Sequence, residues 1–358
     1  MKPKKKRQNH PAKLMKMHRK PVLICNPCTY IYVRGFFRIK LEEEIKVQQS
    51  NTVRHPELGY QSLLGAIPVR LRDILGKYLK MDTVEEIRFR VNRHVQVVFS
   101  DDDVILNQYK CFSLQEAKEM LRTICGQSVY ARENELCSGF VTISDGIRVG
   151  LSGQPIIKNG KIIHFTNVTG FNFRIAREII GCSEGILQLV MEQSGPVSTL
   201  IAAPPGIGKT TLLRDIARSL SDSKYLGRYR KVLVVDERNE LSGSTNGIPS
   251  LKIGERTDVI SLTPKTVAIP LVIRSMSPDV IITDELSGDD DISAVCLAAR
   301  CGVCMIASIH EDEESIKNGG GRVERLMKSG GFKKLILLSR KGTQLCGKSI
   351  SVKTEGES

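Results

Sequence analysis

A short apolar segment, a glycine-rich turn and an amphipathic stretch follow one another between Val197 and Leu220. The run of residues 197–203 is typical of a buried strand, and residues 204–211 read Pro-Pro-Gly-Ile-Gly-Lys-Thr-Thr. Apolar side chains then recur at helical spacing, at Leu212, Leu213, Ile216, Ala217 and Leu220. This order is the context of a phosphate-binding loop, because glycines let backbone N–H groups surround an anion and the helix adds its positive amino end.

The loop supplies the predicted nucleotide contacts, which are Pro205, Gly206, Ile207, Gly208, Lys209, Thr210 and Thr211. Lys209 is expected to reach the β- and γ-phosphates, and the Thr210 hydroxyl is expected to ligate Mg²⁺. Ala203 stands where the usual pattern has its first glycine, and its methyl group restricts the backbone but leaves the cradle intact. The flanking strand and helix therefore favour a phosphate site over an ordinary glycine turn.

Two further aliphatic segments end in acidic residues. Residues 231–236 read Lys-Val-Leu-Val-Val-Asp and precede Glu237, and residues 280–285 read Val-Ile-Ile-Thr-Asp-Glu. Strands that alternate with helices in this part of the chain predict an α/β fold with a largely parallel sheet covered on both faces. Since ligands bind at the carboxyl ends of such strands, one edge should gather Thr210, Asp236, Glu237, Asp284, Glu285 and His310.

Nucleotide hydrolysis needs a phosphate cradle, a metal ion and a group that orients the attacking water. The segment ending at Glu285 fits the Walker B motif, in which Asp284 would hold the Mg²⁺ shell and Glu285 would polarise the water. Glu237 ends a neighbouring strand in the same crevice and competes for the second role. The sequence does not choose between the two glutamates.

His310 follows the apolar segment 303–309 and has two open interpretations. It could sense the γ-phosphate, or it could cap the next helix. Positive charge for the transition state could come from an arginine acting across a subunit boundary. The candidates for that role are Arg238, Arg256 and Arg274.

The chain divides into three parts by composition and patterning. Residues 1–50 are predicted to be a basic, disordered extension. Residues 60–185 predict a small α+β domain with helices at 68–80, 114–124 and 127–136 and strands at 84–91, 95–99, 140–143, 148–151, 161–165 and 171–176. Residues 195–350 are the predicted P-loop domain, with further helices at 271–276 and 292–300, a loop-rich stretch at 241–263 and closing strands at 332–338 and 343–352.

The net charge of +14 would suggest a protein that binds nucleic acid, but most of this charge lies in one segment of the chain. Nine basic and no acidic side chains lie in residues 1–20, which leaves +5 for the other 338 residues. The body of the chain holds no basic segment interleaved with aromatic residues. Nucleic acid is therefore not the favoured partner.

The ten cysteines do not resemble a secreted disulfide framework, and a reduced cytosol fits them best. The pairs Cys25–Cys28 and Cys301–Cys304 could supply four zinc ligands, but the second pair lies where a helix runs into a buried strand, which favours core thiols. No uncharged apolar run reaches the roughly 18 residues that span a bilayer, so no integral membrane segment is predicted.

Six segments, in order from about residue 60 to 350, closely resemble the stage III sporulation protein AA family: Glu85–Asn92, Arg148–Leu151, Phe171–Arg177, Pro204–Asp215, Val235–Arg238 and Ile273–Glu285. That family is similar to the ATPases of type II and type IV secretion systems and has an AAA-type or RecA-like P-loop fold. By this similarity Asp236 and Glu237 lie in an acidic box and His310 in a histidine box.

The resemblance implies a cytoplasmic, Mg²⁺- and ATP-dependent ring ATPase, a hexamer, in the mother cell of an endospore-forming bacterium. Its partners would be membrane proteins of a channel between mother cell and forespore, which it would power or gate from a position peripheral to the membrane. Three departures from the family pattern bear on the hydrolysis rate more than on binding: Ala203, Glu311 after His310, and Pro270.

Two alternatives stay open. The basic tail permits a P-loop ATPase that works on nucleic acid, and salt-dependent binding by a chain lacking residues 1–50 would discriminate it. Ala203 permits a nucleotide-binding scaffold that does not hydrolyse ATP.

Overall fold

The structure is a computed structural model. It describes residues 30–33, 37–46, 53–54, 59–81, 83–126, 132–175, 178–223, 228–318, 321–341 and 344–353. Two large sheets organise these residues: a six-stranded antiparallel sheet towards the amino terminus and a nine-stranded sheet that is parallel at its centre. Among the described residues, no helix has the length and apolar character needed to cross a membrane.

The strands in chain order are β1 (Tyr30–Val33), β2 (Phe37–Lys46), β3 (Val53–Arg54), β4 (Val84–Arg90), β5 (Gln96–Phe99), β6 (Asp103–Ile105), β7 (Phe140–Ile143), β8 (Ile147–Lys158), β9 (Lys161–Arg174), β10 (Glu178–Ile179), β11 (Met191–Glu192), β12 (Gly195–Pro196), β13 (Thr199–Ala202), β14 (Val232–Asp236), β15 (Thr257–Ser261), β16 (Val280–Thr283), β17 (Cys304–Ile309), β18 (Lys334–Lys341) and β19 (Gln344–Lys353). The helices are α1 (Gly59–Ala66), α2 (Val69–Leu79), α3 (Leu114–Ile124), α4 (Glu133–Cys137), α5 (Glu184–Val190), α6 (Lys209–Asp222), α7 (Lys265–Met276), α8 (Asp289–Arg300), α9 (Glu313–Asn318) and α10 (Arg322–Lys328).

The antiparallel sheet has the strand order β6-β5-β4-β9-β8-β7 and packs against α1, α2 and α3 through one apolar core. Phe89 lies at the centre of that core, with its ring centroid 5.2 Å from that of Phe112 and 5.6 Å from that of Phe173. Helix α3 starts at a capping box in which the Ser113 hydroxyl accepts from the backbone N–H of Glu116 at 3.2 Å. The helices predicted at 68–80 and 114–124 and the strands around them are confirmed.

Two predictions in this region need correction. The strands predicted separately at 161–165 and 171–176 are one continuous strand, β9, because three register shifts in its pairing with β8 absorb the polar residues between them. Of the helix predicted at 127–136, residues 127–131 lie outside the described residues, and α4 begins only at Glu133.

The larger sheet has the order β1-β2-β19-β18-β13-β17-β16-β14-β15, with parallel pairing from β18 to β15. Separate apolar clusters cover its two faces, so the buried strands read as continuous aliphatic runs. The predicted α/β fold with a parallel sheet, preceded by an α+β region, is confirmed. Strand β17 lies between the loop-bearing β13 and the acid-tipped β16, which brings the ends of all three strands to one edge.

Several elements of this region extend beyond the sequence prediction. Strand β15 lies inside the predicted loop stretch 241–263, where its partly buried edge position hides the apolar pattern. Helix α7 begins at Lys265 and continues through Pro270, and α8 begins at Asp289 with three aspartates in its first turn. The short helices α9 and α10 were not predicted.

Residues 30–33 and 37–46 correct the prediction of a disordered extension for their part of the segment 1–50. They form β1 and β2, and β2 pairs antiparallel with β19 from Lys46 to Arg38. Without β2, the outer edge of β19 would present unpaired backbone N–H and C=O groups, and β2 pairs with them. The rest of residues 1–50, including the basic run, lies outside the described residues.

Candidate functional site

The glycine-rich loop connects β13 to α6 at the carboxyl edge of the parallel sheet. Gly206 has φ +78° and Gly208 has φ +106°, a region that favours glycine, and a Cβ added to either residue would meet no heavy atom within 4 Å. The loop therefore needs these glycines for their backbone conformation and leaves open space beside them for a ligand. Helix α6 begins at Lys209 directly after this turn.

Lys209 is buried, with 4% of its surface exposed, and its ammonium points into the loop. Its Nζ donates to the carbonyls of Ala203 and Pro204, both at 2.8 Å, and to Nδ1 of His310 at 3.0 Å. Burial lowers the pKa of Lys209, and the carboxylates of Asp284 and Glu285 partly oppose this shift. Because an ammonium only donates, His310 Nδ1 is the acceptor and Nε2 carries the ring hydrogen.

The Thr210 hydroxyl lies against the acidic end of β16. Its Oγ1 donates to Oδ2 of Asp284 at 2.5 Å, and the other carboxylate oxygen, Oδ1, accepts from the hydroxyl of Ser308. The structure thus brings together the two residues predicted to ligate Mg²⁺. The sequence analysis did not assign a role to Ser308. The feature that could have indicated one is a hydroxyl side chain one position before the end of an otherwise apolar strand.

Glu285 occupies a strained position directly after Asp284. Its φ of +43° is uncommon for a residue with a side chain, and its backbone N–H donates to Ser308 Oγ at 3.1 Å. The Glu285 carboxylate accepts from the Arg238 guanidinium and lies 3.5 Å from Nε2 of His310. His310 therefore stands between Lys209 and Glu285 and contacts both.

The acidic pair at the end of β14 does not behave as one unit. Asp236 is buried and accepts from the backbone N–H groups of Glu240 at 2.8 Å and Ser242 at 2.7 Å, so it organises the following loop rather than facing the crevice. Glu237 pairs with Lys265 of α7 at 2.6 Å. Lys265 is a second contact that the sequence reasoning missed, because it lies in the unpredicted first turn of α7.

The three candidate arginines lie in different places. Arg238 reaches Glu285 within the same chain. The Arg256 guanidinium lies 3.8 Å from the centroid of the Tyr229 ring and donates to the Ser221 carbonyl at 3.3 Å, near the amino ends of β14 and β15. Arg274 is exposed in the last turn of α7. Within one chain, the structure brings Arg238 alone of these three to the acidic residues.

None of the three departures from the family pattern distorts the loop. Ala203 has a negative φ and its methyl group is buried in the apolar cluster beneath β13. Glu311 accepts from the backbone N–H of Arg322 at 3.0 Å and so joins α10 rather than the phosphate loop. Pro270 lies inside α7 without ending it.

Replacing Ala203 with glycine should not improve nucleotide binding. Because Ala203 already has an ordinary φ, we expect the affinity for an ATP analogue to stay within about twofold, while the free energy of unfolding falls by about 1 kcal/mol through lost burial and added chain entropy. Isothermal titration and urea unfolding measure the two quantities. A large gain in affinity would show that the methyl group restricts the cradle.

An ion pair between Arg148 and Glu240 joins the antiparallel sheet to the nucleotide-site region. Arg148 of β8 packs its guanidinium 3.7 Å from the centroid of the Phe140 ring and donates to the Glu240 carboxylate at 2.5 Å. The backbone carbonyl of Glu240 in turn accepts from the buried Arg214 of α6 at 2.8 Å. The amino-terminal sheet is thereby connected to the helix that starts at Lys209.

A double-mutant cycle on Arg148 and Glu240 measures that connection. For the two alanine variants and their combination, we expect a coupling free energy of about 1 kcal/mol in urea unfolding, because the pair is partly buried and close. The pair Glu313–Lys317, one turn apart on α9, is the matched control and should give less than about 0.5 kcal/mol. Equal coupling in both pairs would contradict a specific link.

The structure describes only one of the two cysteine pairs of the zinc interpretation. Cys25 and Cys28 lie outside the described residues, and within these no group of three or more His, Cys, Asp or Glu residues could hold a metal ion. Burial raises the pKa of the Cys304 thiol to about 12, as expected of a thiol packed in a core.

Comparison with known proteins identifies the family. Residues 60–352 match the family model described as sporulation stage III, protein AA. Stage III sporulation protein AA of Bacillus subtilis (strain 168) is 38% identical over 257 residues, which cover 72% of this chain and 83% of that relative.

Solved structures agree with the fold. The Legionella pneumophila ATPase DotB superposes with a TM-score of 0.51 at 17% identity over 76% of each chain. The pilus retraction motor PilT with bound ADP gives a TM-score of 0.52 at 12% identity over 80% of this chain and 83% of PilT. At these identities the likeness concerns the fold alone. Together with the family match, these findings show that the chain belongs to the stage III sporulation protein AA family and shares its fold with the ATPase DotB and the motor PilT.

Proposed function

We propose that this protein is a Mg²⁺-dependent ATPase that works as a ring and powers or gates a secretion-like channel between mother cell and forespore. The observation that carries the proposal is the meeting of Lys209, Thr210, Asp284, Glu285 and His310 at one edge of the parallel sheet. Family membership and the likeness to DotB and PilT support the same function.

The loop fits the phosphates of a nucleotide. Gly206 and Gly208 have open space beside them, and the amino end of α6 adds backbone donors. Lys209 makes its three hydrogen bonds to neutral acceptors, so its positive charge is not paired directly with a carboxylate. We assign Lys209 to the β- and γ-phosphates and residues 205–211 to the cradle around them.

Thr210 and Asp284 fit a bound Mg²⁺. A hydrogen bond of 2.5 Å joins their oxygen atoms, so both lie at one place, and one hydroxyl with one carboxylate is a protein contribution that Mg²⁺ accepts when phosphate oxygens and water complete its shell. When bound, the ion neutralises charge on the phosphates. Ser308 holds the other oxygen of Asp284 and thereby fixes the orientation of the carboxylate.

We assign the orientation of the attacking water to Glu285 rather than Glu237. Glu285 follows Asp284 directly and lies beside His310, whereas Glu237 is paired with Lys265. His310 would then connect the two parts of the site, because it contacts Lys209, which binds the phosphates, and Glu285, which is the base. The Arg238 guanidinium holds the Glu285 carboxylate within the same chain. Release of Arg238 from this contact would free the carboxylate.

The assembly and its partners extend this proposal. We infer a homo-oligomeric, hexameric ring of cytoplasmic subunits, peripheral to the mother-cell membrane and bound to membrane proteins of the channel. Arg256 and Arg274 lie away from the site in their own chain, which is compatible with a role across a subunit boundary. Sedimentation velocity with and without an ATP analogue measures the ring, and a monomer under both conditions would contradict it.

Phosphate release from ATP by the full chain tests the enzyme claim. We expect saturable turnover that requires Mg²⁺ and stops when EDTA removes it. ATP binding with no turnover, even in the assembled ring, would instead favour the non-hydrolysing scaffold. Ala203, the sequence feature that permits that scaffold, has a negative φ, which supports an undistorted phosphate loop.

A further inference from the structure

A cleft of about 390 Å³ opens at the amino edge of the parallel sheet, opposite the phosphate loop. The segments that precede β13, β14, β16 and β17 converge there, and its lining includes Arg228, Arg230, Asp279 and Cys304. The volume lies near the lower end of the range for small-molecule sites, roughly 300–1,000 Å³. Nothing in the proposed ATPase function uses this cleft.

Arg230 is the unusual residue of the cleft. Its surface is only 3% exposed, its buried Nε has no hydrogen-bond partner, and within the described part of the chain its guanidinium makes no ion pair. A guanidinium stays charged at neutral pH, and a buried N–H donor without an acceptor is costly. Gly195 makes room for it, since a Cβ there would lie 3.2 Å from Nη2 of Arg230.

The other charges around the cleft do not satisfy Arg230. Burial and the nearby Arg228 guanidinium both lower the pKa of Arg230, and Asp279 opposes them. The Asp279 carboxylate already accepts from the backbone N–H of Lys231 at 2.9 Å. Burial raises the pKa of the Cys304 thiol to about 12, so that group is neutral and offers no counter-charge. Among the described residues that line the cleft, two guanidiniums therefore lie with one carboxylate, that of Asp279, which already accepts a hydrogen bond.

We propose that this cleft binds an oxyanion of the phosphate class, either free or as the phosphoryl group of a small molecule. Arg230 is the inner contact and the exposed Arg228 the outer one. Two guanidiniums give the forked donor geometry that matches phosphate oxygens. The carbonyl ends of α7 and α8 also lie at this edge and favour the guanidiniums rather than an anion, so an anion bound here is held by the arginine side chains alone.

The test is calorimetric titration of inorganic phosphate into the full-length Lys209→Ala protein, in which the phosphate loop is weakened. We expect saturable binding that Arg230→Gln weakens by about tenfold or more and Arg228→Gln by less. Arg122→Gln, an exposed arginine on α3, is the matched control and should leave the affinity unchanged. Any phosphate that still binds at the loop would be insensitive to Arg230, so the difference belongs to the cleft.

Two further titrations identify the source of the anion. Glucose 6-phosphate that binds as tightly as inorganic phosphate would indicate a phosphorylated small molecule, and phosphate alone would indicate the free ion. Acetate that binds more tightly than either would overturn the proposal in favour of a protein carboxylate. The proposal would also be overturned if phosphate did not bind saturably, or if it bound equally well with and without Arg230. In either case the Arg230 guanidinium would serve only as a partner of the helix ends. If Arg230→Gln fails to fold by circular dichroism, Arg228→Gln decides in the same way.

Discussion

The Glu285→Gln variant should bind Mg²⁺ and ATP but lose its turnover by about 100-fold or more. Glutamine keeps the shape of the side chain and removes the carboxylate that would accept a proton from the attacking water, a contribution of this size in general-base catalysis. The position beside Asp284 and 3.5 Å from His310 is the reason for choosing this glutamate. Turnover is measured by phosphate release, and binding by calorimetry with an ATP analogue.

Glu237→Gln is the comparison that makes this result specific. Because Glu237 is held by Lys265 at the flank of the site, we expect its loss to reduce turnover by less than about tenfold. The reverse order, with Glu237→Gln inactive and Glu285→Gln active, would assign the base to the end of β14. The sequence left this choice open, and the contacts of the two side chains decide which outcome we expect.

The Lys209→Ala variant should lose both ATP affinity and turnover, each by about 100-fold or more. Lys209 is the charged residue of the loop, and its ammonium would bind the β- and γ-phosphates. Hydrogen bonds between charged groups of this kind contribute about 1.5–3 kcal/mol each. Its removal also withdraws the donor to His310. Calorimetry and phosphate release measure the two effects.

Lys118→Ala, an exposed lysine on α3, is the matched control for the loss of one positive charge and should behave as the unaltered protein. Circular dichroism of Lys209→Ala separates a functional loss from unfolding. Turnover of Lys209→Ala at the rate of the unaltered protein would end the enzyme proposal.

The parallel sheet and the loop could be predicted because their signals are local. The aliphatic runs before Asp236 and Asp284 are continuous. The backbone at residues 206 and 208 has a positive φ, which favours glycine at both positions. Strand β15 and the first turn of α7 could not be read in the same way. Strand β15 is only partly buried at the sheet edge, and Pro270 inside α7 gives a misleading stop signal.

The finer structure of the site depends on tertiary contacts that no spacing encodes. Asp236 and Glu237 are adjacent in sequence, yet one holds the loop at Ser242 and the other pairs with Lys265. Ser308 is unremarkable in sequence and becomes significant only because β17 lies between β13 and β16. The strand order, which brings distant residues to one edge, is what the sequence could suggest but not specify.

The most direct measurement is a crystal structure of the protein with Mg²⁺ and a non-hydrolysable ATP analogue. We predict that Lys209 Nζ lies within hydrogen-bonding distance of the β- and γ-phosphates, and that the metal ion lies between Thr210 Oγ1 and the Asp284 carboxylate. A triphosphate bound elsewhere, with Lys209 still turned to the carbonyls of Ala203 and Pro204, would contradict the proposal that these residues form one nucleotide site.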